Sequence, residues 1–162
     1  MDIDPSALTV DQRHHLETLR SDRADGLIRH YMMMTMGAGA LPVMLADILA
    51  VTAIQVEMVR QLSRLYELPF ERTKVKMVIL ALLTNTLVHR GARSLAKGIP
   101  LVGWIFGGLS MSVLSGAATL ALGKVFKAHL EAGGHWPELD ADSMMAPFRK
   151  ALRNVSVKSL EG

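Results

Sequence analysis

Few of the residues able to do chemistry in this chain stand where they could act together. There are no cysteines, which excludes disulfides and thiolate chemistry. His14 and His15 are neighbours, but they sit among Asp11, Arg13 and Glu17 without an HExxH pattern. They read as solvated side chains rather than metal ligands. His135 follows Gly133-Gly134 in a turn. Ser110, Ser112 and Ser115 have no His–carboxylate partnership visible near them and read as small packing residues. Gly123-Lys124 lacks the upstream glycine and the following Ser or Thr of a phosphate-binding loop. No nucleophile, base and orienting group can be assembled, so the expectation is a non-enzymatic chain with no catalytic residues, cofactor or metal.

The most informative polar residue is Asp47, a carboxylate among apolar neighbours. Such a group must find a partner or take up a proton. It caps a helix that begins just after Pro42, or it pairs with His89, Arg90 or Arg93 to lock two helices. A proton or ion pathway through it is the third reading. Gln55, and Asn85 inside MVILALLTNTLV, are the other polar residues expected to matter, Asn85 as a hydrogen-bonding partner between helices.

The remaining charges frame apolar blocks. Lys and Arg flank each block on both sides, among them Arg90, Arg93 and Lys97 before the last block and Lys124 and Lys127 after it. The positive-inside tendency places both flanks on the cytoplasmic side, which requires a block to enter and leave by the same face. A soluble bundle with polar helix ends has the same flanks. The net charge of +3 suits an anionic membrane surface, and the basic residues are not interleaved with aromatics as a nucleic-acid site would have them.

These residues need helices to position them. The chain has 162 residues, half of them hydrophobic, which suits one domain with a sizeable core. Aromatics make up only 5 % and there are 11 methionines, a mixture that packs adaptably. The acidic start has no signal-peptide character. A charged helix is expected from Thr9 to Ala24, with Thr9 and Gln12 forming its cap and Gly26 ending it. Gly37, Gly39 and Pro42 break the next block, and a helix follows from Pro42 to Tyr66. A third helix spans about 71–97 and stops at Gly98-Ile99-Pro100, so Pro100 marks another break. The fourth continues to Glu131 and stops at Gly133-Gly134. The division is a polar segment 1–25, an apolar helical domain 26–134, and an acidic-then-basic tail 135–162. That tail is expected to be solvated and partly disordered, with a short basic helix from Pro147 to Lys158 as the alternative.

The stretch Ile99–Gly123 has no charged residue. At about 1.5 Å per residue, a helix of that length would cross a bilayer core of about 30 Å. Gly103 and Gly107, then Gly108, Ser112 and Gly116, recur at four-residue spacing and form a small-residue stripe for close helix packing. A bend at Gly107-Gly108 would make the stretch a hairpin. A buried central helix of a soluble bundle is the competing reading. The fold expected is all-α, a single domain of Gly/Pro-broken apolar hairpins.

Three stretches carry a resemblance to a known family. They are residues 37–70, GAGALPVMLADILAVTAIQVEMVRQLSRLYELPF; residues 97–126, KGIPLVGWIFGGLSMSVLSGAATLALGKVF; and KAHLEAGG at 127–134. In this order they resemble the YcjF-type domain of unknown function, which in bacteria occurs alone or joined to a small GTPase domain. The family's frequent second proline after Pro42 is replaced here by Met44. The resemblance implies a membrane-associated helical module that works with a GTPase-containing partner, nucleotide hydrolysis belonging to that partner. The function expected is a non-catalytic scaffold or anchor on the cytoplasmic face of the bacterial inner membrane. Its partners are membrane lipid and a GTPase-containing protein, not nucleic acid. A soluble, homo-oligomeric interaction module is the alternative.

Overall fold

The structure is a computed structural model. It describes the backbone of residues 9–38, 44–96, 108–134 and 139–158, and their side chains other than those of 38, 44–49, 87–96, 108–111 and 156–158. Among the described residues there are five helices and no strands: α1 (Val10–Ala38), α2 (Met44–Leu65), α3 (Arg72–Ala96), α4 (Gly108–Glu131) and α5 (Ala141–Lys158). The fold is one all-α domain.

Local chemistry sets several of the helix ends. The Gln12 amide donates to Thr9 Oγ1 at 3.3 Å, and the Thr9 amide donates to Gln12 Oε1 at 2.9 Å. This reciprocal capping box starts α1. α2 and α4 close in the same way, with a left-handed residue after the last turn. Gly133 has φ 70°, and the Gly134 amide reaches back to the His129 carbonyl at 2.9 Å. At the end of α2 the left-handed position is Glu67, φ 57°, and the Leu68 amide reaches the Ser63 carbonyl at 2.9 Å. Both are Schellman-type closures, the second made without glycine. Asp140 caps α5, accepting the Ser143 amide at 3.2 Å.

α1 differs from the sequence expectation: it runs through Gly26 and Gly37 without interruption. A mid-helix glycine costs about 1 kcal/mol, and burial on either side of Gly26 outweighs it. Ala24 is fully buried and Ile28 is 1 % exposed. Leu16 and Leu19, the leucines of its first turns, are 47 % and 42 % exposed, and every described residue from Thr9 to Leu19 is solvent-exposed.

The core draws on all five helices. Ile28 of α1, Met58 and Leu62 of α2, Ile79 and Leu82 of α3, Leu122 and Phe126 of α4, and Phe148 of α5 are its largest buried apolar side chains. α1 packs on α4 and α2, α2 also on α3 and α4, and α5 lies across α3 and α4. The segment expected to be a solvated tail is therefore largely a packed helix. Pro147 is accommodated on its exposed side, while Met144, Phe148 and Leu152 face the core.

Candidate functional site

The helix pairing directs the chain into two unlike ends. α1 and α4 are antiparallel: Ile28 lies against Gly123, and Met36 against Gly116. α2 runs alongside α4, with Gln55 meeting Thr119 and Tyr66 meeting Glu131. α3 returns from α2 through the short turn at 66–71. The end of α1, the start of α2, the end of α3 and the start of α4 therefore lie at one end. The connections 39–43 and 97–107 join helices there.

The opposite end is held by charge. Lys127 Nζ lies 2.8 Å from Asp25 and 3.8 Å from Glu131, and the lysine is only 9 % exposed. The Tyr66 hydroxyl donates to Glu131 at 2.8 Å. Burial, that hydrogen bond and the charges of Glu131 and Asp25 push the Tyr66 ionisation far above its usual range, with Arg20 opposing them. Arg20 lies 6.0 Å from the centre of the Tyr66 ring and 3.4 Å from a Glu67 carboxylate oxygen. These groups fix α1, α2 and α4 relative to one another beside an open cleft of about 570 Å3, lined by Arg20, Tyr66 and Glu131 together with His14, Glu17 and Leu130. Lys127, read from the sequence as a basic flank, is thus turned inward to an ion pair.

The first end is apolar and rich in methionine. Met33 and Met34 on α1 are 63 % and 45 % exposed, and Val113 on α4 is 45 % exposed. One turn away the contact between α1 and α4 is very close. A β-carbon on Gly116 would lie 2.5 Å from Met36 Cγ and 3.4 Å from Met32 Cγ. Ser112 donates through its hydroxyl to the Met36 carbonyl. The small residues facing α1 are Ser112, Gly116 and Gly123, the last with a β-carbon position 2.5 Å from Ile28 Cγ2. Gly123 continues the stripe at seven residues from Gly116, a spacing that keeps one helix face and that a search at four-residue intervals passes over. Gly103, Gly107 and the side of Gly108 lie outside the described residues.

Between the two ends the core contains polar groups. The Gln55 amide donates to Thr119 Oγ1 at 3.0 Å, both residues being fully buried, and Thr52 is 3 % exposed. Gln55 Oε1 has no hydrogen-bond partner among the described residues. Asn85 accepts a hydrogen bond from Arg149 Nη2 at 2.9 Å and so ties α3 to α5. Arg149 is therefore engaged with the fold, which nothing near it in sequence signals. Lys124 is exposed beside α5. Gly37 is exposed within the last turn of α1. Gly39, Pro42, Lys97 and Pro100 lie outside the described residues, as do the side chains of Asp47, Arg90 and Arg93. Among the described residues there is no group of three or more His, Asp or Glu positioned to hold a metal, and no helix long and apolar enough to cross a membrane.

The fold and these two ends define a small all-α module with an adaptable apolar end opposite a salt-bridged one. The chain belongs to the family described as a domain of unknown function, DUF697, whose model matches residues 3–156. It is 41 % identical over 132 residues to magnetosome membrane protein 22 of Magnetospirillum gryphiswaldense, a match covering 78 % of this chain and 67 % of the relative. No solved structure matches the chain.

Proposed function

We propose that the protein is a non-catalytic, membrane-associated helical module that meets the bilayer with its apolar end. One observation carries this reading. The exposed Met33, Met34 and Val113 lie at the end where the helices flanking 39–43 and 97–107 converge. In sequence, ALPV precedes α2 and KGIPLVGWIFG precedes α4, and the two runs together hold one cation. The helix ends that flank each run lie at one end of the bundle, as the basic flanks require of a block that enters and leaves by one face. Methionine, with its flexible thioether chain, suits a surface that must adapt to lipid. The name of the magnetosome relative, a membrane protein, supports the same reading. The module sits on the cytoplasmic face of the inner membrane, and its salt-bridged end, turned from the lipid, is the surface for a GTPase-containing partner of the kind the family resemblance implies.

Fractionation of the expressed protein tests the membrane contact. Retention on membranes through high salt and alkaline carbonate, with release by detergent, is the expected result. A monodisperse particle in detergent-free buffer, absent from the membrane fraction, would refute it and favour closure of the apolar ends between copies of the chain. The exposed Met33 and Met34 are what favours that second reading.

A further inference from the structure

The charges of this molecule are divided between its helices. α1 and α2 carry six carboxylates and six Lys or Arg. α3, α4 and α5 together carry eleven Lys or Arg and two carboxylates, Glu131 and Asp142. Both carboxylates are at the salt-bridged end, in the last residue of α4 and the first turn of α5. Glu131 is already engaged by Tyr66 and Lys127.

The fold gathers part of the excess, since Lys127 is turned inward to Asp25 and Arg72, Lys74 and Lys76 stand at the start of α3 by the salt-bridged end. α5 packs on both α3 and α4. It begins beside the end of α4, where Ser143 and Met144 share a groove with Ala128 and His129, and it runs back along that helix. Its apolar side is committed to the core by Phe148 and Leu152, which leaves Lys150 and Arg153 in solvent. Arg149 leans onto α3 through Asn85 at 2.9 Å. Lys150 lines the groove with Lys124 of α4, an opening of about 480 Å3. Lys158 lies further along α5, and Arg90 and Arg93 lie in the closing turns of α3. No carboxylate occurs in α5 after Asp142 or anywhere in α3.

We propose that the α5 side of the bundle, with the adjoining parts of α3 and α4, is a docking surface for anionic phospholipid headgroups. The occupant follows from charge complementarity and from position. The surface is cationic without interspersed carboxylates, and it extends toward the apolar end. A bilayer can engage both at once, headgroup phosphates against the cations and acyl chains against the methionines. A nucleic-acid duplex would have no use for the apolar end. The inference rests on the membrane reading above and adds to it a lipid class and an orientation.

Flotation of the full chain with vesicles tests it. Neutral phosphatidylcholine vesicles are compared with vesicles containing phosphatidylglycerol, for the native protein, the double variant Lys150→Glu/Arg153→Glu, and Arg13→Glu on α1 as a control. Circular dichroism verifies that each variant is folded. The expected result is preference for the anionic vesicles, weakened by salt and reduced about twenty-five-fold or more by the α5 reversal. That magnitude follows from a cost of about a factor of five per lost surface cation. Arg13→Glu should leave flotation nearly unchanged. Equal binding to both vesicle types would overturn the headgroup surface while leaving the membrane reading intact. A loss for Arg13→Glu about half that of the α5 variant on a logarithmic scale, one reversed charge against two, would overturn it too, as a mere net-charge effect. Binding to neither vesicle would remove the membrane reading itself. Tighter binding to a DNA duplex than to anionic vesicles would assign the surface to nucleic acid and overturn the proposal.

Discussion

The two ends of this bundle solve the same packing problem with different materials. At one end, α1, α2 and α4 are joined by directional contacts. Lys127 reaches Asp25, Tyr66 reaches Glu131, and Arg20 lies between Tyr66 and Glu67. At the other, α1 and α4 meet through glycine and methionine, with Gly116 beneath Met32 and Met36. Directional contacts hold one geometry, because a hydrogen bond stretched by an ångström loses most of its interaction. Methionine against glycine tolerates many arrangements of nearly equal energy. The contrast teaches where each kind of function can be placed. A surface that adapts to lipid belongs at the methionine end, and one that presents a fixed shape to a protein belongs at the charged end.

The same substitution at two points of one stripe breaks this comparison most directly. Gly123→Ala places a methyl 2.5 Å from Ile28 Cγ2 and 3.2 Å from Ile28 Cβ, a β-branched chain with little freedom to turn aside. Overpacking of this kind costs about 1–3 kcal/mol, and alanine's better helix propensity returns up to about 1 kcal/mol, leaving a net loss of about 1–2 kcal/mol. Gly116→Ala meets only Met36 and Met32, whose chains can swing away. Its stability should stay within about 0.5 kcal/mol of native, because propensity offsets the displacement. Urea midpoints of the two variants give the answer. Equal losses would mean that the methionine end is as rigid as the other.

Asp25→Ala probes the charged end alone. Loss of a partner from a buried ion pair costs about 3–5 kcal/mol when both charges are out of water. Here Asp25 is 42 % exposed and Glu131 remains 3.8 Å from the lysine. Solvent screening reduces the expectation to about 1 kcal/mol. A double-mutant cycle with Lys127→Met separates the pair from the packing of the lysine stem. A coupling near zero would show that the charged end is held by its apolar contacts instead.

What was legible in the sequence divides along the same line between local and distant determinants. The Thr9–Gln12 cap and the stop at Gly133-Gly134 could be read because each is decided within a few residues. The end expected at Gly26 was misread because α1 is held through that point by α4 and α2, and burial of Ala24 and Ile28 outweighs local propensity. Composition makes the final segment read as a solvated tail, yet Phe148 and Leu152 anchor it across α3 and α4. Lys127 reads as one of the flanking cations because its partner Asp25 is distant in sequence and becomes a neighbour only when α1 and α4 align. The charge-segregated α5 side shares that origin. α3 and α5 are each basic alone, but only packing sets them side by side.

The smallest expected effect isolates one contact of the charged end through its pH dependence. Tyr66 is held protonated by burial, by its hydrogen bond to Glu131, and by the negative charges of Glu131 and Asp25. Its ionisation in the folded state lies above that in the unfolded chain, near 10. In the window above about pH 10 the folded protein therefore binds more protons than the unfolded chain, and stability falls as pH rises. The contribution is fully present below pH 10. Tyr66→Phe removes the hydroxyl, so it should cost about 0.5 kcal/mol at pH 8, the low end for a hydrogen bond at a partly exposed site. It should also lessen the decline between pH 10 and 11, because the share that Tyr66 contributes to it is gone. Denaturant midpoints of both proteins at pH 8, 10 and 11 measure the two effects together. A cost at pH 8 with an unchanged slope would mean that the hydroxyl contributes packing alone. Convergence of the two curves at high pH is the outcome required if the bond to Glu131 depends on the phenol keeping its proton.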